Sequence, residues 1–324
     1  MLRLPRLRFR MPVSAREAAA MAAEGGPTTM LVAGGTDLYP NLKRRQFAAD
    51  TLVGLTQLRE LHEIGGDAAS GHTVGAAVTL GAASRHPGLP AGYAEAAGLV
   101  SSPPLRNGAT IGGNLCVDTR CNYYNQTEEW RKAIGYCMKK DGDICLVAPG
   151  SPRCWAVSSS DTAPVAIALG ATVVLAGTDG ERELPVAALY RDDGIDYLQK
   201  QPWEVVTALR LPPADGVRSA YVKLRRRGSI DFPIAGCGVA LKMDGDTVEW
   251  ARVVLGAVGS HPVEAPAADA LLAGKRLDEE LIAAAAELAA KLAKALDNAD
   301  LSYVWRKRMV RVVVEEALRK AAAR

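Results

Sequence analysis

Long apolar runs are missing from this sequence of 324 residues. No stretch of about 18 apolar residues occurs, which leaves no candidate for a membrane-spanning helix. A charge excess is missing too. Lysine plus arginine come to 39 and aspartate plus glutamate to 36, a net of +3. That is too small to call for a nucleic-acid partner or a charged membrane surface. In the first eleven residues arginines interrupt every apolar pair, so there is no apolar core for a secretory signal. The period-two alternation over residues 2–11 predicts a short strand with one solvated face instead. A cytoplasmic location is the expectation, and there thiols stay reduced. GxGxxG and the P-loop pattern are absent, as are CxxC pairs and internal repeats. No nucleophile triad can be drawn from the motifs.

What is present is ordinary globular composition, 48% apolar and 23% charged. The length corresponds to about two domains at ~150 residues each. Cysteine is the uneven residue. There are six, and Cys116, Cys121, Cys137, Cys145 and Cys154 crowd one stretch, while Cys237 stands apart. Reduced, clustered cysteines more often bind metal or do redox chemistry than form disulfides.

Along the chain, Ser14 and Glu17 form a capping box before an alanine-rich helix over 15–24, which Gly25-Gly26 should end. Strands are predicted over 28–33 and 51–55, in the rhythm of an α/β unit. A strand and short helix follow over 71–85, then a helix over 91–100. Pro103-Pro104 should break the chain, and 107–115 should be a glycine-rich loop. Residues 116–155 have few apolar periodicities and look like an inserted lobe. Regular structure resumes with a helix over 161–170 and a strand over 171–176. The breaker cluster at 212–216 is a candidate boundary. Beyond it come a strand over 221–227, a hairpin around Asp244-Gly245, and helices over 277–296 and 303–323.

Two loops carry binding chemistry. The first is Val32-Ala33-Gly34-Gly35-Thr36-Asp37, between a predicted strand and a helix or turn. The second is Thr110-Ile111-Gly112-Gly113-Asn114. Glycine lets a phosphate approach backbone N–H groups, and the hydroxyl and amide suit ribose or pyrophosphate. Each loop alone is equally well a tight structural turn.

Taken in order, the two loops, Arg106 to Ala109, and Ser160-Asp161-Thr162-Ala163-Pro164 resemble the flavin-binding subunit of the xanthine oxidase family of molybdenum hydroxylases. Tyr221-Val222-Lys223, with Arg226 and Asp231 behind, resembles the start of that family's C-terminal domain. The resemblance implies an α+β fold. Residues 1–216 would form a two-part FAD-binding domain of the PCMH type, interrupted by a lobe at 116–155, and 217–324 a C-terminal antiparallel sheet with helices. It implies FAD held by Val32 to Asp37 and by Thr110, Gly112, Gly113 and Asn114. Asp161 would take the sugar or ribityl part, Lys223 would reach the flavin, and Ser101 is a weaker transfer. On sequence alone Asp161 is equally a helix N-cap, and Lys223 a solvated strand charge.

In the lobe no histidine is available; the four are His62, His72, His86 and His261. All-thiolate ligation fits zinc or an iron–sulfur cluster, and ligand softness does not separate them. Cys121, Cys137, Cys145 and Cys154 are the favoured ligands. Cys116, just after the glycine loop, reads as packing, and Cys237 as a buried core thiol. Tyr123, Tyr124, Trp130, Tyr136 and Trp155 would either shield a cluster or form the lobe's own core.

The lobe's place and cysteines resemble those of the 4-hydroxybenzoyl-CoA reductase β subunits, a branch of the same family. That resemblance implies a 4Fe-4S cluster beside FAD and reduced ferredoxin as electron donor. It also implies a hetero-oligomer with molybdenum-cofactor and 2Fe-2S subunits, reducing 4-hydroxybenzoyl-CoA to benzoyl-CoA. Two other expectations stand beside it. One is a flavin subunit of another molybdenum hydroxylase, such as a CO or xanthine dehydrogenase, with a zinc-binding insertion. The other is a cofactor-free structural subunit.

Overall fold

The computed structural model describes residues 2–324. The chain opens with β1 (Arg8–Arg10), α1 (Ala15–Gly25), β2 (Thr29–Val32), α2 (Leu38–Lys43) and β3 (Thr51–Gly54). The strands form a parallel sheet in the order β1-β3-β2. The strand expected over 2–11 shrinks to three exposed residues. Pro5 and Pro12 flank it, and neither can donate to a ladder. Ser14 caps α1 as expected, its Oγ accepting from Glu17 N at 3.1 Å. Glu17 reaches one residue further back than a capping box requires, to Val13 N at 2.6 Å. Gly26, at φ +66°, follows the helix. Central β3 is buried throughout, whereas edge strand β2 is buried only at Val32.

Next come β4 (Ile64–Asp67), β5 (Gly71–Gly75), α3 (Leu80–Ala83), α4 (Ala91–Leu99), α5 (Pro103–Arg106) and α6 (Ile111–Leu115). The lobe contributes α7 (Glu128–Ala133). After it come α8 (Thr162–Ala168), β6 (Thr172–Ala176), β7 (Glu181–Pro185) and β8 (Val205–Leu211). The strands pair antiparallel in the order β4-β5-β8-β6-β7. Two expectations are corrected here. Pro103-Pro104 opens α5 rather than breaking the chain, since proline suits a first helical turn whose N–H groups are free anyway. Residues 107–115 are not wholly loop. Thr110 is an N-cap, its Oγ accepting from Gly113 N, and α6 follows.

The C-terminal sheet contains β9 (Val217–Leu224), β10 (Ala235–Asp244), β11 (Thr247–Gly256) and β12 (Val263–Glu264), antiparallel in the order β12-β11-β10-β9. Gly245, at φ +57°, makes the predicted hairpin turn. Three helices cover one face: α9 (Pro266–Leu272), α10 (Glu279–Ala290) and α11 (Tyr303–Ala322). The helix expected over 277–296 stops six residues early. Tertiary bonds take over from helical ones: Lys294 N donates to Val258 O at 2.9 Å, and the buried Arg306 takes Leu296 O at 2.8 Å. No helix among the described residues is long and apolar enough to cross a membrane.

The C-terminal sheet packs its other face on α4 and α8 of the first part, so one core runs through both. Tyr221, Ala240 and Val254 share a buried cluster with Tyr93, Val165 and Leu209. The approach is close enough to demand glycine. A Cβ on Gly238 of β10 would meet the backbone of Val165 at 2.6 Å and of Pro164 at 2.7 Å. Backbone cannot swing aside as a side chain can. Gly238→Ala is therefore expected to destabilise the protein by about 1–3 kcal/mol, the usual cost of overpacking, read as a lowered urea midpoint.

Candidate functional site

β2 ends at Val32, and the chain turns through Ala33–Asp37 into α2. The turn is tight for a steric reason. A Cβ on Gly34 would strike the carbonyl oxygen of Gly108, and Gly35 sits at φ +67°, where glycine is favoured. The N–H groups of Gly34, Gly35, Thr36 and Asp37 find no acceptor among the described residues. A row of free N–H groups is a concave anion-binding surface. Asp37 Oδ2 accepts from Asn41 Nδ2 at 3.0 Å, and Oδ1 is paired with Arg120.

The second loop faces the first. Gly112 lies against Ala76, where a Cβ would come within 2.8 Å of the Ala76 Cβ. Asn114 turns inward. Its Oδ1 accepts from Ser160 Oγ (2.9 Å), Thr162 Oγ1 (2.7 Å) and Thr162 N (3.2 Å), tying this loop to the start of α8. Two cavities meet at the loops. One, of about 410 Å³, is lined by Val32–Asp37, Ser101, Thr110, Gly113, Asn114 and Asp161, with Asp118, Arg120 and Phe232. The other, of about 570 Å³, is lined largely by apolar residues with Thr110, Gly112, Lys200 and Glu204. Ala33, Thr110, Gly113, Cys116 and Tyr197 border both. Their sizes fall in the usual range for small-molecule sites. A long ligand with an anionic middle fits this shape: two chambers, with unpaired N–H groups beside the join. FAD is such a ligand.

Asp161 and Lys223, expected to touch the flavin's sugar and ring, are bonded to each other. Lys223 Nζ lies 2.8 Å from Asp161 Oδ2, and Tyr221 Oη donates to Oδ1 at 2.8 Å. Lys223 also donates to Leu99 O at 3.1 Å. Both side chains are almost wholly buried. Burial pushes the Asp161 carboxyl up, with Lys223 and Tyr221 opposing; burial likewise pulls the Lys223 ammonium down, with Asp161 opposing. Asp161 precedes α8 but makes no cap bond with its side chain. It borders the 410 Å³ cavity and Lys223 stands behind it. Ser101 lies at the rim at φ +46°, its carbonyl accepting from Ile230 N at 3.0 Å, and Ile230 itself is at φ +72°.

Sequence reasoning missed several lining residues. Arg120 pairs with Asp37 and stacks over the Phe232 ring at 4.3 Å, closing one side. Tyr197, its Oη donating to Cys116 O at 3.2 Å, stands between the chambers. None of these belongs to a motif, and the fold alone gathers them. Cys116, read as packing, is a wall of both chambers. Burial raises its thiol, and Lys200, itself depressed by burial, is the nearby charge.

The other four lobe cysteines are buried together. Cys121, Cys137 and Cys154 share an apolar cluster with Tyr124 and Ala156. Cys145 is equally buried. Burial pushes the Cys121 thiol up to about 12, and Cys154, Cys137 and Cys145 push the same way. Cys154 rises to about 11 through burial, with Cys145 and Cys137 adding to it and the Ala156 N–H and Lys139 opposing. Among the described residues, no group of three or more His, Cys, Asp or Glu is arranged to hold a metal ion. Of the five lobe aromatics, Tyr123 and Tyr124 pack with the cysteines. Trp130 is 40% exposed, and Trp155 stacks under Arg153 at 3.6 Å. Cys237 is fully buried in the C-terminal core, and burial raises its thiol.

Residues 5–214 match the model for the FAD binding domain in molybdopterin dehydrogenase, and 219–321 that for the CO dehydrogenase flavoprotein C-terminal domain. The chain is 27% identical to the carbon monoxide dehydrogenase medium chain of Hydrogenophaga pseudoflava, over 99% of this chain and 98% of that one. It is 30% identical to an aldehyde oxidoreductase FAD-binding subunit of Escherichia coli, over 78% and 82%. In structure it superposes on the Hydrogenophaga carbon monoxide dehydrogenase solved without the Mo-pyranopterin moiety, with a TM-score of 0.80, 99% of each chain and 27% identity.

Asp161→Asn would leave the Lys223 ammonium buried without a counter-charge. A loss of about 3–5 kcal/mol in guanidinium unfolding is expected, the scale for breaking a buried pair. Asp161→Asn combined with Lys223→Met should recover most of it.

Proposed function

The chain belongs to the FAD-binding medium subunits of the molybdenum hydroxylases, and from that we propose that it is the flavin-bearing electron-transfer subunit of such a complex. The observation that carries the reading is the pair of chambers joined at two glycine loops, with free N–H groups on Gly34 to Asp37 beside the join. Those N–H groups and Thr110 would hold the pyrophosphate. Asp161 and Ser101 border one chamber, and the fixed cation of Lys223 lies behind Asp161. When bound, FAD supplies electron exchange in steps of one or two. What the protein adds is position and electrostatics. The partners on this reading are a molybdenum-cofactor subunit and a 2Fe-2S subunit.

The named relatives act on carbon monoxide and aldehydes, which favours the broader form of this reading. The narrower form rests on the lobe. Four buried thiols and no histidine make a donor set for iron–sulfur chemistry. The resemblance of the lobe, with these buried thiols as its donor set, is what supports a 4Fe-4S cluster, with Cys121, Cys137, Cys145 and Cys154 as ligands. A second centre on the flavin subunit gives an outside one-electron donor of the ferredoxin kind its own point of entry. The reaction on this narrower reading, dehydroxylation of 4-hydroxybenzoyl-CoA to benzoyl-CoA, rests on the resemblance of the lobe alone, and the named relatives support the broader reading better.

Anaerobic purification of the complex tests both levels. Flavin, iron, acid-labile sulfide and zinc would be measured for the wild type, Cys121→Ser and Cys116→Ser. FAD is expected in all three, with iron and sulfide falling in Cys121→Ser only. A wild type without flavin would overturn the family-level reading. Zinc without sulfide would overturn the cluster.

A further inference from the structure

Lys139 lies in the lobe, two residues beyond Cys137, and its side chain is only 6% exposed. It donates to Asp118 Oδ1 and Thr119 Oγ1, both at 2.7 Å, and to Gly194 O at 2.5 Å. It also faces two aromatic rings, Tyr124 at 4.8 Å and Tyr197 at 5.4 Å. These partners fall into two groups. Tyr124 packs with Cys121, Cys137 and Cys154. Gly194 is pressed on Cys154: its N–H donates to Cys154 O at 3.0 Å, and a Cβ there would come within 2.6 Å of Cys154 Sγ. Asp118 and Tyr197, by contrast, line the flavin chamber. One buried cation therefore touches the walls of both proposed redox sites.

We propose that Lys139 is a positioning residue that joins the four-cysteine centre to the flavin chamber. It holds the facing walls together and places one fixed positive charge where added electrons on either side are stabilised. The inference rests on the flavin and iron–sulfur reading above. A buried charge acts at long range because solvent screens it little. A surface lysine would be screened and would cost nothing to replace. Lys139 is neither, since its three bonds and two ring contacts fix the ammonium. Asp118 at 2.7 Å offsets part of its field, so removing either partner should act in the opposite sense to removing the other.

The test uses the whole complex, with redox titrations of the iron–sulfur signal and of the flavin absorbance in wild type, Lys139→Met, Lys139→Arg and Asp118→Asn. Lys139→Met should keep its iron, sulfide and FAD while the midpoint potential of the iron–sulfur signal falls. Lys139→Arg, which keeps the charge, should return it towards wild type. Asp118→Asn, which keeps the shape and removes the counter-charge, should raise it. Unchanged potentials in Lys139→Met and Asp118→Asn would overturn the proposal. If Lys139→Met does not assemble, Asp118→Asn decides alone: an upward shift supports the proposal and no shift overturns it. A wild type lacking iron and sulfide overturns the iron–sulfur reading and this inference with it. A wild type that holds the cluster but whose potentials ignore these residues overturns only the inference.

Discussion

The buried ion pair between Asp161 and Lys223 is the contact on which the rest of the architecture turns. It joins the segment before α8 to strand β9, so it spans the junction of the two parts of the chain. Removing two charges from water is costly, and their attraction repays it only when further hydrogen bonds complete the geometry. Here Tyr221 Oη satisfies the second carboxylate oxygen, and Leu99 O takes another ammonium proton. Those bonds fix β9 against the C-terminal end of α4. The same segment carries Ser160 and Thr162, which hold Asn114 and so the second glycine loop. The wall of the chamber is thus set from the domain junction outward.

The glycines make the same demand from the steric side. Gly92 of α4 lies against the backbone of Ala220, and Gly238 against that of Pro164 and Val165. Gly34 packs on the Gly108 carbonyl in the loop itself. Close packing leaves no room for a methyl group at these points. The two parts therefore meet as closely as layers within one domain. A groove between such layers is held open by geometry rather than by flexible side chains, which suits a ligand that must be oriented.

Much of this could be read from the residues. The glycine loops, the hairpin at Gly245 and the helix capped by Ser14 follow from local rules of φ preference and capping. Cys116 stands apart from the other four lobe cysteines by its place just after the glycine loop, and in the structure it lines both chambers. Three things were not legible. α10 ends early because Arg306 and Lys294 bind distant carbonyls, a tertiary effect without local signal. Asp161 has the position of an N-cap, but its partners lie sixty residues away in sequence. Arg120, Tyr197 and Phe232 enter the site only because the lobe and the loops around 190–200 and 230 are folded onto it. Motifs mark where a backbone must be special. They say nothing about which ordinary side chains will complete a wall.

The lobe shows why the cysteines need an explanation beyond packing. Its buried apolar cluster amounts to Tyr124 and Ala156 beside three of the cysteines, with Tyr123, Met138, Leu146 and Val147 only partly covered. A unit that small rarely builds a sufficient core and usually relies on a disulfide or a metal. All six cysteines are free, so no disulfide does this. Bonds to the rest of the chain help: Gln46 Nε2 donates to Tyr124 O, Arg131 to Arg44 O and Arg45 O, and Asn298 Nδ2 to Trp155 O. The first of these bonds reaches Tyr124 of the buried cluster itself, and the others anchor the lobe elsewhere along its chain. Burial and the neighbouring thiols oppose ionisation of Cys121 and Cys154. A bound cation reverses that balance, because it stabilises the thiolates that burial disfavours. On the iron–sulfur reading, the cofactor would be both a redox centre and part of what holds the lobe together.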